Sequence, residues 1–148
     1  MDEKTFKERT KRFALSVVKL VEALPRTRTA EVLGRQLLRA GTSVGANYRA
    51  ACRGRSASDV VAKLGIVEEE SDEAIYWVEL LVESGVIPAD RVVALSNEGN
   101  EILAMTVASI KTLRSRNRGG SPEARPGAGR ALAPVGNPES KIQNPKSV

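Results

Sequence analysis

Val60-Val-Ala-Lys-Leu64-Gly-Ile-Val67-Glu-Glu-Glu-Ser71-Asp-Glu-Ala74-Ile-Tyr-Trp-Val78-Glu-Leu-Leu81 is the stretch whose reading decides the fold. Positions 60, 64, 67, 71, 74, 78 and 81 alternate steps of four and three, and all are small or apolar. An α-helix turns once in 3.6 residues, so this spacing lays all seven along one face. A strand has period two and would scatter them over both of its faces. Ser56 or Ser58 supplies an N-cap, and Gly85 stands where a C-terminal glycine belongs.

The pattern repeats outward. Leu33, Leu37, Ala40, Val44, Tyr48 and Ala51 predict a second helix, starting after Thr27 or Thr29 and running to about Arg53, with Gly54 as terminator. Before it, Phe6, Phe13, Val17, Leu20 and Leu24 predict a helix from about Thr5 to Leu24, stopped by Pro25. Downstream, Pro88 is expected to open a fourth helix, since a proline at the first helical position sacrifices no hydrogen bond. Val92, Leu95, Ile102, Thr106 and Leu113 mark its inward side, and it should end near Arg116. Four amphipathic helices joined by short loops pack most simply as an antiparallel up-down four-helix bundle. The expected class is all-α, with a bundle over residues 1–116.

Composition agrees. Hydrophobic residues make up 41% of the 148, but aromatics only 3%, so the core must be aliphatic. Residues 117–148 hold five Pro and five Gly with few large apolar side chains. Such a segment cannot bury enough surface to offset its ordering entropy, and a disordered, net basic tail is expected there.

Chemistry is narrowed by what is missing. The chain has no histidine, and Cys52 is its one cysteine. A usual zinc site, a Ser-His or Cys-His pair and an internal disulfide are therefore out of reach. Glu69, Glu70, Asp72 and Glu73 could gather round a metal. Di-iron bundles, however, need a Glu-x-x-His motif that this chain lacks. No catalytic residue, metal or cofactor is assigned, and the expected protein is not an enzyme. The opening Met1-Asp2-Glu3-Lys4 has no apolar signal behind it, and no run approaches the ~18 apolar residues of a membrane span. A cytoplasmic protein without a membrane partner is the simplest expectation.

Charge is polarised along the chain. The net is +5, but Met1 to Arg55 carries thirteen Lys and Arg against five acids, whereas Ser56 to Ile110 carries eleven acids against Lys63 and Arg91. Arg49, Arg53 and Arg55 cluster at the end of the second helix, with Arg35 farther up it. With Lys11, Arg12 and the tail they are candidates for a phosphate-binding surface. Basic residues at a helix C-terminus also serve simply to offset its dipole.

Two further strips exceed what a plain bundle needs. Gln36, Arg39, Ser43 and Asn47 form a polar shoulder on the second helix. Lys63, Ile66, Glu70, Glu73, Trp77 and Leu80 form a second seam on the third. Glu70 and Glu73 are natural partners for Arg39 if these helices are neighbours. Trp is enriched at interfaces, so this face is a candidate for self-association or for a register-fixing polar cluster. The alternative is a wide core stripe roofed by Trp77, beside a solvated flank.

The segments Gln36-Leu-Leu-Arg-Ala-Gly-Thr-Ser-Val-Gly-Ala-Asn47-Tyr-Arg-Ala-Ala and Lys63-Leu-Gly-Ile-Val-Glu-Glu-Glu-Ser-Asp-Glu-Ala-Ile-Tyr-Trp77-Val-Glu-Leu-Leu resemble the bacterial four-helix bundle family of 23S rRNA intervening-sequence proteins. The resemblance runs from about Phe6 to Leu113. It implies an up-down bundle that assembles into rings, typically pentamers. A similar bundle is the accessory protein of diversity-generating retroelements, which binds nucleic acid and a reverse transcriptase. The family motif falls on Arg39, Ser43, Asn47, Ser56, Glu70, Glu73 and Trp77. Ala51 departs from it, and the acidic third helix departs from the strongly basic retroelement protein. The expectation is a homo-oligomeric, non-enzymatic bundle that binds RNA or DNA, or accompanies a reverse transcriptase or other protein. The alternative is a protein-interaction scaffold without a nucleic-acid role.

Overall fold

The computed structural model describes residues 2–120, and the segment expected to be a disordered tail lies almost wholly outside them. Four helices follow in order: α1 (Glu3–Glu22), α2 (Arg28–Cys52), α3 (Ala57–Glu83) and α4 (Val93–Gly119). Three have side-chain caps on their first orphan N–H groups. The Asp2 carboxylate accepts from the Thr5 N–H, Thr27 Oγ1 from Ala30, and Ser56 Oγ from Asp59. Thr27 and Ser56 are thus the caps, not Thr29 or Ser58.

The end of α3 is set by backbone geometry. Gly85 has φ +79°, which a residue with a Cβ adopts only under strain. From there its N–H reaches the Val82 carbonyl and the Val86 N–H reaches that of Leu81, closing the α3 terminus in a Schellman motif.

The start of α4 differs from expectation. Pro88 opens only a short 3-10 turn, Ala89–Arg91, and α4 begins at Val93. Val92 breaks the path, with ψ near 3°. Its side chain is buried in the core at this junction between turn and helix. At the other end α4 runs on through Gly119, three residues past the expected stop at Arg116. Its last turn carries Arg116 and Arg118, which favour a helix C-terminus.

Chain neighbours are also neighbours in space. α2 and α3 share the most extensive contact, α1–α2 and α3–α4 follow, and α1–α4 is far smaller. The helices run antiparallel in turn. One end of the bundle therefore gathers the start of α1, the end of α2, the start of α3 and the end of α4. No helix among the described residues is long and apolar enough to cross a membrane.

The core is aliphatic, with Leu37, Val44, Val67, Leu81 and Ile102 fully buried. Its one aromatic pair, Phe6 edge-on to Tyr48 at 4.5 Å, joins α1 to α2 at the first end. Three hydroxyl residues share the core stripes: Thr10, Ser71 and Thr106. Each donates to the carbonyl one turn back, of Phe6, Val67 and Ile102 at 2.9, 2.7 and 2.8 Å. This leaves no orphan donor and explains how Ser71 and Thr106 sit among leucines and valines.

α2 approaches α1 through glycines. A Cβ built on Gly41 would stand 2.8 and 2.9 Å from the two γ-methyls of Val17, and one on Gly34 would stand 2.8 Å from a Leu24 methyl. Val17 is β-branched and wholly buried, so it cannot swing aside. Gly65 on α3 has nothing within 4 Å of that position. The two glycines therefore predict opposite outcomes. Gly41→Ala should lose about 1–3 kcal/mol by overpacking, net of any gain in helix propensity. Gly65→Ala should gain about 0.5–1 kcal/mol, because alanine pays less entropy to enter a helix. Denaturant unfolding of both variants measures the two signs.

Candidate functional site

The polar shoulder of α2 and the second seam of α3 meet, because these two helices make the broadest contact in the bundle. Arg39 reaches across with a forked grip: Nη1 to Glu70 Oε1 at 3.3 Å and Nη2 to Glu73 Oε1 at 2.7 Å. Glu73 Oε1 also accepts from the Trp77 indole N–H at 3.1 Å. The Arg39 guanidinium and then that indole N–H hold the Glu73 carboxyl below its ordinary range, while the two carboxylates raise the Arg39 pKa.

Ser43 and Asn47 belong to the same strip but do not cross to α3. Ser43 Oγ donates to the Arg39 carbonyl at 2.7 Å, and Asn47 Nδ2 to the Ser43 carbonyl at 2.8 Å. Both spend their side-chain donors on their own helix. One atom of the cluster stands out: Glu70 Oε2 is buried and has no hydrogen-bond partner. Beside the cluster, Ile66 and Tyr76 are exposed and Trp77 is half-buried, with the Tyr76 and Trp77 rings 5.1 Å apart. The outer face of α3 thus carries an apolar ridge among carboxylates.

The candidate phosphate surface is only partly assembled. Arg49 lies on the outward side of the last turn of α2, Arg53 is the helix C-cap one turn on, and Arg55 stands in the turn beyond; all three are exposed. The turn is ordered by Asp59, which accepts from the Arg55 N–H at 3.0 Å and from Lys63 Nζ at 2.7 Å. The Lys63 ammonium first, then the Arg55 N–H, lower the Asp59 pKa. Arg35 is not with them. It lies about 21 Å up the helix from Arg49 and pairs with Glu31 at 3.1 Å. Lys11 is exposed on α1, level with Gly45 of α2, since Thr10 and Gly45 abut. Arg12 borders a different groove, between α1 and α4, with Arg9, Phe13, Leu95 and Glu98.

Two features escaped the sequence reading. Lys111, Arg114, Arg116 and Arg118 are exposed on the last turns of α4, at the bundle end that also holds Arg53 and Arg55. Their number was visible in the charge count, but their neighbours required the topology. Arg9 clasps Glu98 in two bonds, of 2.6 and 3.0 Å, and also meets Glu101. Glu98 chiefly, then Glu101, raise its pKa. This clasp bridges α1 and α4, a helix pair with little contact compared with α1–α2, α2–α3 or α3–α4. No spacing pattern could announce it, because the partners lie some ninety positions apart.

Against known proteins, the family model for the 23S rRNA-intervening sequence protein matches residues 3–108. A crystal structure from Bacteroides thetaiotaomicron VPI-5482, of a protein with unknown function from the S23 ribosomal protein family, is 33% identical. It superposes with a TM-score of 0.70, over 75% of this chain and 99% of that one. No curated protein matches.

The Arg39–Glu73–Trp77 contact has a pH signature. A carboxyl whose folded pKa is depressed adds stability above its unfolded value, near 4.5, and loses it as pH falls through the folded pKa. Trp77 is the one tryptophan and sits on that carboxylate. Its fluorescence should shift below about pH 4.5, as the Glu73 carboxyl protonates, before global acid unfolding. Glu73→Gln should abolish that early step; an unaltered titration in the variant would assign it elsewhere.

Proposed function

This chain belongs to the 23S rRNA-intervening sequence protein family, and we propose that it acts without catalysis, as a self-associating bundle that binds nucleic acid through phosphates. The observation that carries this reading is the separation of charge across the fold. Lys11, Arg49, Arg53 and Arg55 are exposed on the α1–α2 side and at its end, where the basic last turns of α4 join them. The acids Glu69, Asp72, Glu79 and Glu83 are exposed on α3. A polyanion meets one side and is repelled by the other, so it is oriented as it lands.

Such contacts are point charges on flexible stems, and they read backbone charge with little sequence information. RNA and DNA both offer that chemistry. Arg35 contributes less to this surface, since its guanidinium already faces Glu31.

Self-association is proposed through the α2–α3 face. It has an apolar ridge at Ile66 and Tyr76, an anchoring Trp77, and in Glu70 Oε2 a buried acceptor with capacity to spare. A ring of copies, pentameric as the family resemblance implies, would repeat the basic ends around one rim and multiply a weak phosphate contact by avidity. A reverse transcriptase or another protein is a fitting co-partner for the acidic side. A second reading has a specific observation in its favour: the ridge and the carboxylates of α3 also suit a basic protein partner with no nucleic acid involved.

Two measurements separate the readings. RNA and DNA retention should fall steeply between about 50 and 200 mM salt. The triple variant Arg49→Glu, Arg53→Glu, Arg55→Glu should weaken binding about tenfold or more at low salt. No retention at about 50 mM salt would overturn the nucleic-acid reading. Light-scattering mass with the 260/280 absorbance ratio of the untreated preparation then reports assembly and bound nucleic acid together. A nuclease-insensitive protein complex with a protein-like ratio would favour the scaffold.

A further inference from the structure

The start of α1, the end of α2, the start of α3 and the end of α4 meet at the basic end of the bundle and leave an open groove of about 650 Å³. Tyr48, Ala51 and Leu64 form its buried floor, and half-buried Val60, Met105 and Leu113 form apolar walls. Polar groups enter at a few points. Ser109 and Thr112 give their hydroxyl protons to the carbonyls of Met105 and Ala108, at 2.9 and 3.0 Å, so their oxygens are left as acceptors. Tyr48 supplies a donor. Burial first, then the neighbouring Cys52 thiol, raise its pKa, and a thiol is a weak acceptor that a better one displaces. An apolar cleft with a few convergent polar groups is where a ligand binds.

We infer that this groove takes an unpaired nucleobase from a single strand of RNA or DNA, while the strand's phosphates lie on the arginines around it. This rests on the phosphate-binding role proposed above and specifies the form of nucleic acid that is bound. Charge selects the polyanion. Arg116 stands on the α4 rim, Arg53 follows directly on Cys52 at the α2 side, and Arg55 is two residues farther; all three are exposed. The acids at this end are occupied. Asp2 caps α1, Glu3 pairs with Lys7 at 2.6 Å, and Asp59 pairs with Lys63 at 2.7 Å. α2 and α4 stand diagonally across the bundle, so a strand running from Arg53 to Arg116 holds its bases over the opening.

The lining selects the base. An acyl chain would bury the Ser109 and Thr112 oxygens and the Tyr48 hydroxyl without partners. A base brings donors and acceptors on its edge and an apolar face for Leu64, Met105 and Leu113. A duplex keeps those edges paired inside its stack and cannot present them here without flipping a base out. Single strands are therefore preferred over duplexes, although a duplex carries more charge.

Cys52 reports occupancy directly, since it is the chain's one thiol and lines the groove. Its alkylation by N-ethylmaleimide is followed in the full-length protein at about 50 mM salt, where phosphate contacts are strong. The probes are a mixed-sequence DNA strand, a strand of the same length that is abasic at every position, and the blunt duplex. The intact strand should slow alkylation about tenfold, as a groove filled some nine-tenths of the time requires. The abasic strand and the duplex should leave the rate unchanged. Protection by either of them equal to that of the intact strand, or retention of the intact strand with no protection, overturns base insertion and leaves the phosphate role standing. No retention of any probe overturns both. Ala108 is exposed on the α4 wall, so Ala108→Gln should narrow the groove at an unchanged melting temperature. It should lower the affinity for the intact strand about tenfold, toward that for the abasic one. Undiminished binding of the intact strand by this variant also overturns the inference.

Discussion

The antiparallel packing of α2 on α3 is the contact from which the rest of the structure hangs. Each of these helices spends its aliphatic stripe on the other and has a second neighbour on its flank. α2 takes α1 through glycines that let the backbone close on Val17. α3 takes α4 on the opposite side. The outer helices are tied to one another far less, and a charged clasp at Arg9, rather than a wide apolar seam, spans the α1–α4 line. Stability is thus concentrated in the central pair and thins toward the chain's two ends.

This layout decides where the polar residues can act. Once the inward stripe and one flank of α2 are buried, what it shows to water includes Arg28, Arg35, Arg39 and Arg49, with Glu31 as its one exposed acid and Val32 as an exposed apolar residue. α3, by the same logic, shows carboxylates with Ile66 and Tyr76 among them. The cross-helix grip of Arg39 on Glu70 and Glu73 stands on the border between the two fields. It neutralises the charges that lie closest and leaves the more distant ones opposed. The result is a bundle with a cationic side and end and an anionic back, which suits a role in binding and orienting rather than in chemistry.

The candidate site was legible in unequal parts. Arg39 could be paired with Glu70 and Glu73 from helix spacing on the one condition that the second and third helices are neighbours, whereas the bond from the Trp77 indole to Glu73 came only with the structure. Ser43 and Asn47 share the spacing yet bond their own backbone, a choice of rotamer that periodicity does not reveal. Arg35 was grouped with Arg49 because both face outward, but axial distance along a helix separates them. The clasp at Arg9 and the basic turns of α4 gained neighbours only through folding.

Sequence by itself determined the helices, their inward faces, two of their three side-chain caps to within a choice of two residues, and the all-α bundle, since each follows from local steric and hydrogen-bonding rules that act over a few residues. It also narrowed the chemistry the chain's own residues can offer, since there is no histidine and only one cysteine to fold into place. The tertiary structure alone decided which outward residues share a surface, which glycines of α2 lie against α1, that a 3-10 turn separates Pro88 from the start of α4 at Val93, and that a groove stays open beside Cys52. These depend on the rotation, depth and length of one helix against another. Such quantities are set by the fit of many side chains at once, and no single stretch of chain encodes them.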